Sequence, residues 1–358
     1  MSVSHSRRKS PAPPAPQPRR SALQSLVRFV RTPKGTLLLI LVGFSALGMV
    51  GTHWLALPGV LAAVIGAAVA DLAAARLRHT PRAVFPSGAL ISGLLVALVL
   101  APQTSPYVLL LVAVVAVALK HALRTRWSNI FNPATLALIV CGLVFRSGQS
   151  WWGALPTAGI PGFALVLAAG WYLAARVNKV PLVLAFLTTA LAGFAAASFL
   201  GASAQVAQVF RAPDINALFF FAGFMLIDPP TSPARPGHQV WFGLVVGAVS
   251  VAAFLKFGVQ WFIIAGLPVG NLVESLRRLG TRPAAARAGR AGTVGGAGQQ
   301  GPRGASPPSA TRAPASGPAR PAADRALAGA NRDTAARPVD ASQRAVAGGT
   351  PRPARPAP

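Results

Sequence analysis

Ten apolar runs fill residues 36–274, and no other feature restricts the possible folds of this chain so tightly. Cut at charges and at Pro/Gly clusters, they cover 36–52, 54–75, 86–101, 106–121, 130–145, 161–175, 180–200, 216–227, 239–254 and 258–274. Of the 358 residues, 53% are hydrophobic and only 11% charged, with a mean hydropathy of +0.52. That balance excludes an ordinary soluble domain and leaves an all-α, polytopic membrane protein. A straight helix needs about 20 apolar residues to cross the hydrocarbon. Runs 86–101, 130–145 and 216–227 fall short, so they are expected to tilt, break or lie shielded inside the bundle.

The formal charge of +27 would point to nucleic acid in a soluble protein, but its placement here points elsewhere. Residues 1–34 carry eight basic and no acidic side chains, and the stretch from 281 onward carries twelve arginines against Asp324, Asp333 and Asp340. Both ends are poor in large apolar residues and cannot bury enough surface to offset the entropy of ordering. The expected organisation is a disordered basic segment over 1–34, a transmembrane domain over 35–278, and a disordered Pro/Ala/Arg/Gly-rich tail over 279–358. The expected role of the tails is attraction to anionic lipid headgroups, with no specific nucleic-acid partner. The first long apolar run begins only at Thr36, too late for a typical signal peptide, and is read as a retained helix.

The loops test the count of crossings independently. Alternate loops hold Arg76, Arg78 and Arg82; Lys120, Arg124 and Arg126; Arg176 and Lys179; Arg235; and Arg277 with Arg278. The opposite loops hold only Arg146, Arg211 and Lys256. Cytoplasmic loops are enriched in Lys and Arg, so this alternation predicts ten crossings in the cell membrane with both termini cytoplasmic. On this basis the Lys120-His121 pair needs no chemistry to explain it.

Self-comparison adds a repeat. The third run ends in Leu100-Ala101-Pro102-Gln103-Thr104-Ser105-Pro106 and the eighth in Ile227-Asp228-Pro229-Pro230-Thr231-Ser232-Pro233. Five crossings apart, the two copies face opposite sides, as an inverted repeat of five plus five helices requires, with halves at about 36–145 and 161–274. Pro removes a backbone donor, and the Thr and Ser hydroxyls can serve the freed carbonyls, so such a motif stops a helix inside a membrane. Broken ends of this kind belong beside a cavity or ligand, which makes Thr104, Ser105, Thr231 and Ser232 candidates for a cofactor site or pathway. Asp228 has two readings: it lies beside an ion, cofactor or redox pathway, or it caps neighbouring backbone amides. Asp71 is likewise an ion-pathway candidate or a snorkelled carboxylate paired near Arg76. Asn132 before Pro133 opens a helix as its cap, or hydrogen-bonds a cofactor or substrate. The lone Cys141 excludes a disulfide framework, and no histidine stands at metal-ligand spacing from another ligand type, so no metal site is expected.

Gly223-Phe224-Met225-Leu226-Ile227-Asp228-Pro229-Pro230-Thr231-Ser232-Pro233 resembles the F-M-x-x-D-P-x-T-S-P signature of RnfD and NqrB. These are membrane subunits of the Rnf and sodium-pumping NADH:quinone oxidoreductase complexes. Pro86-Ser87-Gly88-Ala89 through Pro102 resembles the family's S-A-x-x-T-G-L-L-x-A-L-x-L-P-P helix, and Asn129-Ile130-Phe131-Asn132-Pro133-Ala134 its N-x-F-N-P-A, with Lys120 and Asp71 at matching places. The resemblance spans roughly 36–274. It implies a ten-helix inverted repeat similar to urea-transporter-like bundles, in one subunit of a flavin-containing electron-transfer complex.

The chain departs from the family where flavin is concerned. Members carry flavin mononucleotide on the threonine of an S-G-A-T motif after the F-N-P-A helix. Here Ser147-Gly148-Gln149-Ser150 stands in that loop and no S-G-A-T occurs. No covalent flavin is expected, Ser150 being a remote acceptor, and FMN or riboflavin is expected to bind noncovalently. Trp151 and Trp152 could stack on the isoalloxazine ring or anchor the chain at the membrane interface. The expectation is a membrane subunit working with other subunits of a redox complex and holding or shielding flavin. Coupling of electron transfer to Na⁺ or H⁺ movement is a further expectation of the resemblance. The alternatives are a stand-alone small-solute channel or permease and an RnfD-like accessory protein of enediyne-type biosynthesis.

Overall fold

The computed structural model describes residues 22–78, 85–124, 129–257 and 262–295. All its regular elements are helical: α1 (Ala22–Val30), α2 (Pro33–Gly51), α3 (Leu57–Leu77), α4 (Ser87–Val99), α5 (Pro106–Ala122), α6 (Pro133–Phe145), α7 (Gly159–Arg176), α8 (Val180–Ala197), the single turn α9 (Ser203–Val206), α10 (Asp214–Phe220), α11 (Pro236–Phe257) and α12 (Phe262–Gly295). Each of the ten apolar runs has its own helix, and the chain is a multi-pass membrane protein. Five helical stretches are long and apolar enough to cross a bilayer by length and composition: Pro33–Gly51, Leu57–Leu77, Trp152–Arg176, Val180–Val206 and Pro236–Phe257. Local chemistry sets the starts. Proline occupies the first turn of α2, α3, α5, α6 and α8, where its missing N–H costs nothing. The Thr32 hydroxyl and the Asn132 side chain cap α2 and α6 by accepting from Gly35 and Thr135 N–H groups, each at 3.1 Å.

Packing repeats in order. In the first half α3 lies against α5, α2 against α4, and α5 against α6. In the second, α8 lies against α11, α7 against the interrupted helix that begins with α10, and α11 against α12. The halves meet through like partners, α2 with α7 and α6 with α12. The two proline motifs also fold alike: Thr104 N–H donates to the Ala101 carbonyl at 2.9 Å, and Thr231 N–H to the Asp228 carbonyl at 3.1 Å.

Contacts sort the helix ends onto two faces. One holds the start of α2, the ends of α3, α5 and α7, and the start of α6. Asp71 meets Lys120 there, Arg176 donates to the Arg31 carbonyl, and Ser275 donates to the Ile130 carbonyl. This is the basic face, and it carries Thr231. The opposite face holds the ends of α2 and α4 and the starts of α3, α7 and α10. Ala101 N–H donates there to the Gly148 carbonyl, Gly51 meets Thr157, and Asn216 donates to the Ala154 carbonyl. It carries Thr104, whose carbonyl lies near Gly59.

The short crossings are accommodated differently from one another. Thirteen residues make α4 about 20 Å long, too short for a hydrocarbon core of about 30 Å, and every residue from Ser92 to Val99 is buried. The eighth run is both buried and broken: α10 gives way to π-helical turns over Phe221–Met225, with Leu226 N–H reaching back to the Phe221 carbonyl at 3.0 Å. The end of α6, by contrast, leaves Leu143 and Val144 exposed. The backbone of α12 runs on to Gly295, past residue 278, where composition places the end of the membrane domain. The expected N-terminal segment up to residue 21, Arg82, Arg126 and the tail beyond 295 lie outside the described residues.

Candidate functional site

The interrupted helix depends on its neighbours for its passage through the bundle. Gly223 faces Gly170 of α7 so closely that a Cβ on Gly223 would stand 2.6 Å from the Gly170 Cα. Backbone meets backbone here, and only glycine permits it. Phe220 and Phe224 stack at 4.8 Å, and Phe44 packs beside Phe224 at 5.4 Å. Widened helical turns leave carbonyls without their usual partners, and one of these, on Met225, accepts from the Asn132 side-chain Nδ2 at 3.3 Å. Asn132 thus caps α6 through Oδ1 and serves the broken helix through Nδ2.

From this point a polar cluster extends across the basic face. With its amide turned so that the oxygen faces the Asn132 N–H, the orientation that satisfies both of its ends, Asn271 accepts there at 3.0 Å and donates to the Thr231 carbonyl at 3.3 Å. Half-buried Asp228 accepts at Oδ2 from the Thr231 hydroxyl at 3.2 Å. Its backbone carbonyl, rather than its carboxylate, serves the turn, taking bonds from Thr231 and Ser232 N–H and from the Ser232 hydroxyl at 2.8 Å. Burial pushes the Asp228 carboxyl up to about 6, against the Thr231 hydrogen bond and the charges of Lys34, Lys179 and Lys120. Glu274, 4% exposed, accepts from Arg277 Nε at 2.7 Å and from Arg278 Nε at 2.7 Å. Arg278 then reaches the Pro230 carbonyl at 3.1 Å and the Ser232 carbonyl at 2.9 Å. Lys179, also 4% exposed, donates to the Ser232 carbonyl at 3.4 Å and to the Pro233 carbonyl. Burial, together with the Arg278 charge, lowers the Lys179 ammonium to about 8, against Glu274 and Asp228.

Asp71 belongs to a separate group on the same face. Its partners are Lys120 at 3.2 Å and His121 at 3.0 Å, both from α5, rather than Arg76 on its own helix. Arg78 closes this group by donating to the His121 carbonyl at 2.8 Å.

The remaining candidates lie on the opposite face. Trp151 and Trp152 are both buried. The indole N–H of Trp152 donates to the Ala97 carbonyl at 2.8 Å, and its ring fills the notch at Gly48. Trp151 meets Phe220 edge-on at 6.2 Å. The N–H groups of Ser150 and Trp151 both reach the Val99 carbonyl at 3.0 Å. The loop therefore serves as a plug over the end of α4, satisfying carbonyls that the helix stop releases. Within it, the Gln149 amide and the Ser150 hydroxyl are buried without a hydrogen-bond partner. Thr104 and Ser105 form the neighbouring turn into α5.

Asn132, Asp228, Thr231 and Ser232 are thus brought together, while Thr104, Ser105, Ser150, Trp151 and Trp152 gather on the other side. Sequence reasoning missed Lys179, Asn271, Glu274 and Arg278. The signal on α12 was present: Asn271, Glu274 and Arg278 recur at three- and four-residue intervals, one helical stripe in an apolar run. Glu274 is also the chain's sole glutamate. Among the described residues no three His, Cys, Asp or Glu side chains converge in a way that could hold a metal.

Residues 27–160 match the family described as NQR2, RnfD, RnfE. Over 111 residues the chain is 27% identical to a subunit of the proton-translocating ferredoxin:NAD(+) oxidoreductase complex of Clostridium ljungdahlii. That match covers 31% of this chain and 33% of the relative. The family match includes the helix stop at Pro102, Asn132 and the Trp151-Trp152 plug, whereas the turn at 228–233 lies outside it.

Proposed function

Taking as premise that the chain belongs to the NQR2, RnfD and RnfE family through residues 27–160, we propose that it is a membrane subunit of an Rnf- or Nqr-like electron-transport complex. The observation that carries this reading is the contact made by Asn132. A motif residue of the family-matched half holds the broken helix of the second half through the Met225 carbonyl, and through Asn271 the turn that contains Thr231. Two helix stops on opposite faces, each beside polar groups, suit a protein that handles charge across a membrane without opening a pore. The basic face is the cytoplasmic one in this proposal, with both termini on that side and the arginine-rich ends against anionic headgroups and partner subunits.

Covalent flavin does not suit the loop at 147–150. It lacks the acceptor threonine. The proposal therefore takes FMN or riboflavin as a noncovalent group, with the unpartnered Gln149 amide and Ser150 hydroxyl as the hydrogen-bonding groups that would hold it. Bound there, flavin would supply the electron-carrying chemistry, and the protein its position and electrostatics. Coupling to Na⁺ or H⁺ movement belongs to the same proposal, with Asp228 and Asp71 as the carboxylates on the route.

A visible spectrum of the detergent-purified protein, followed by acid extraction, tests the reading. Near-stoichiometric flavin released into the acid supernatant supports it. A colourless protein that purifies without partners and moves a small solute into liposomes overturns it in favour of a permease.

A further inference from the structure

The D-P-P-T-S-P turn directs its backbone oxygens inward. Asp228 contributes a carboxylate beside the Thr231 hydroxyl, and the carbonyls of Pro230, Ser232 and Pro233 all accept from cationic side chains. Arg278 has a carboxylate of its own in Glu274. Lys179 does not: among the described residues no carboxylate lies within ion-pair distance of its ammonium, which hydrogen-bonds to two backbone carbonyls at 4% exposure. Taking an ammonium out of water costs several kcal/mol unless other oxygens replace its hydration shell. A dehydrated cation held by convergent carbonyls, with a carboxylate nearby, is the arrangement by which proteins bind alkali ions.

We propose that the turn at 228–233 is a monovalent-cation cradle whose cation is built into the chain as the Lys179 ammonium, so that this site requires no free alkali ion. Lys179 reaches the turn from the loop between α7 and α8, and it neutralises carbonyls that the stop of the eighth crossing leaves without helical partners. It is a positioning residue, holding the turn and, through Thr231 and Asn271, the start of α6. A lysine serving only as a mechanical staple differs in one measurable respect, because its loss would not be repaired by an ion.

The experiment compares the purified wild type with Lys179→Met and Lys179→Ala by thermal unfolding. Each is measured in sodium, potassium or N-methyl-D-glucamine chloride at one ionic strength. In the organic salt the variants should melt lower by roughly 3–8 °C. Sodium or potassium should restore at least half of that loss, while adding nothing comparable to the wild type. Lys179→Arg should keep its stability in all three salts. Equal losses in every salt overturn the proposal, and so does an alkali-ion stabilisation of the wild type as large as that of the variants.

If neither variant accumulates, the wild type itself provides the measurement. At pH 7, with the Lys179 ammonium on the Ser232 and Pro233 carbonyls, it should melt at one temperature in all three salts, and stabilisation by sodium or potassium over the organic salt refutes the idea. The protein is measured alone, so these outcomes do not depend on whether it works in a redox complex.

Discussion

Replacing Gly223 by alanine tests whether the broken helix is held by close backbone contact. The added methyl would stand 2.6 Å from the Gly170 Cα and 3.4 Å from its carbonyl carbon. Carbon atoms rest at about 3.5–4.0 Å, so the two backbones must part by about 1 Å. Neither side can yield by rotating a side chain, since both neighbours are main chain. Overpacking of this kind costs about 1–3 kcal/mol. For a domain of this size each kcal/mol lowers the melting temperature by about 2–4 °C, giving an expected loss of roughly 2–12 °C. The shift should also strain the 3.3 Å bond from Asn132 to the Met225 carbonyl, which has little distance to spare. Thermal unfolding in detergent reads the effect, with Gly43→Ala as the control, because a Cβ at Gly43 meets nothing within 4 Å. At that exposed helical position alanine should be neutral or mildly stabilising. If Gly223→Ala melts with Gly43→Ala, close backbone contact does not hold the crossing in place. The reciprocal Gly170→Ala should be milder, since its methyl stops 3.2 Å from the Gly223 Cα.

Three further outcomes are expected. Asn132→Ala removes both the oxygen that caps Thr135 and the Nδ2 donor to the Met225 carbonyl, so it should unfold about 1–3 kcal/mol below wild type in denaturant, and equal stability of the two proteins does not fit. Asp228 holds its proton more tightly folded, at about 6, than unfolded, so its contribution is fully present at low pH and is lost as pH rises from about 4 through 6. The stability of wild type relative to Asp228→Asn should therefore fall across that window, and a rise would contradict the assignment. Cysteines placed singly at exposed Gln103 and Ala234, beside the two helix stops, should react with impermeant maleimide from opposite sides of sealed vesicles, with buried Cys141 giving little background; labelling from one side would remove the two-faced arrangement.

The ten helices were legible in the sequence because hydropathy over about 20 residues is a local property, and a membrane leaves an apolar run few options besides a helix. The two helix stops were legible for a similar reason: Pro, Thr and Ser act on backbone within a few residues of themselves. The cap at Asn132 followed from Pro133 beside it. What could not be read was the meaning of single charges and single glycines. Lys179 looked like one more loop cation and Asp71 like a partner for Arg76, because a sequence shows which charge is near along the chain but not which lies across the bundle. Trp151 and Trp152 suited a ring-stacking or an anchoring role until the end of α4 was found beneath them, its Ala97 carbonyl taking the indole N–H. The chain by itself marked the ten apolar runs and the two proline stops, though not the short helices α1 and α9 or the length of α12. Only their packing decided that the second stop would be held by a buried lysine, an arginine and two asparagines, since desolvation and hydrogen bonding depend on neighbours that lie tens of residues away in the chain.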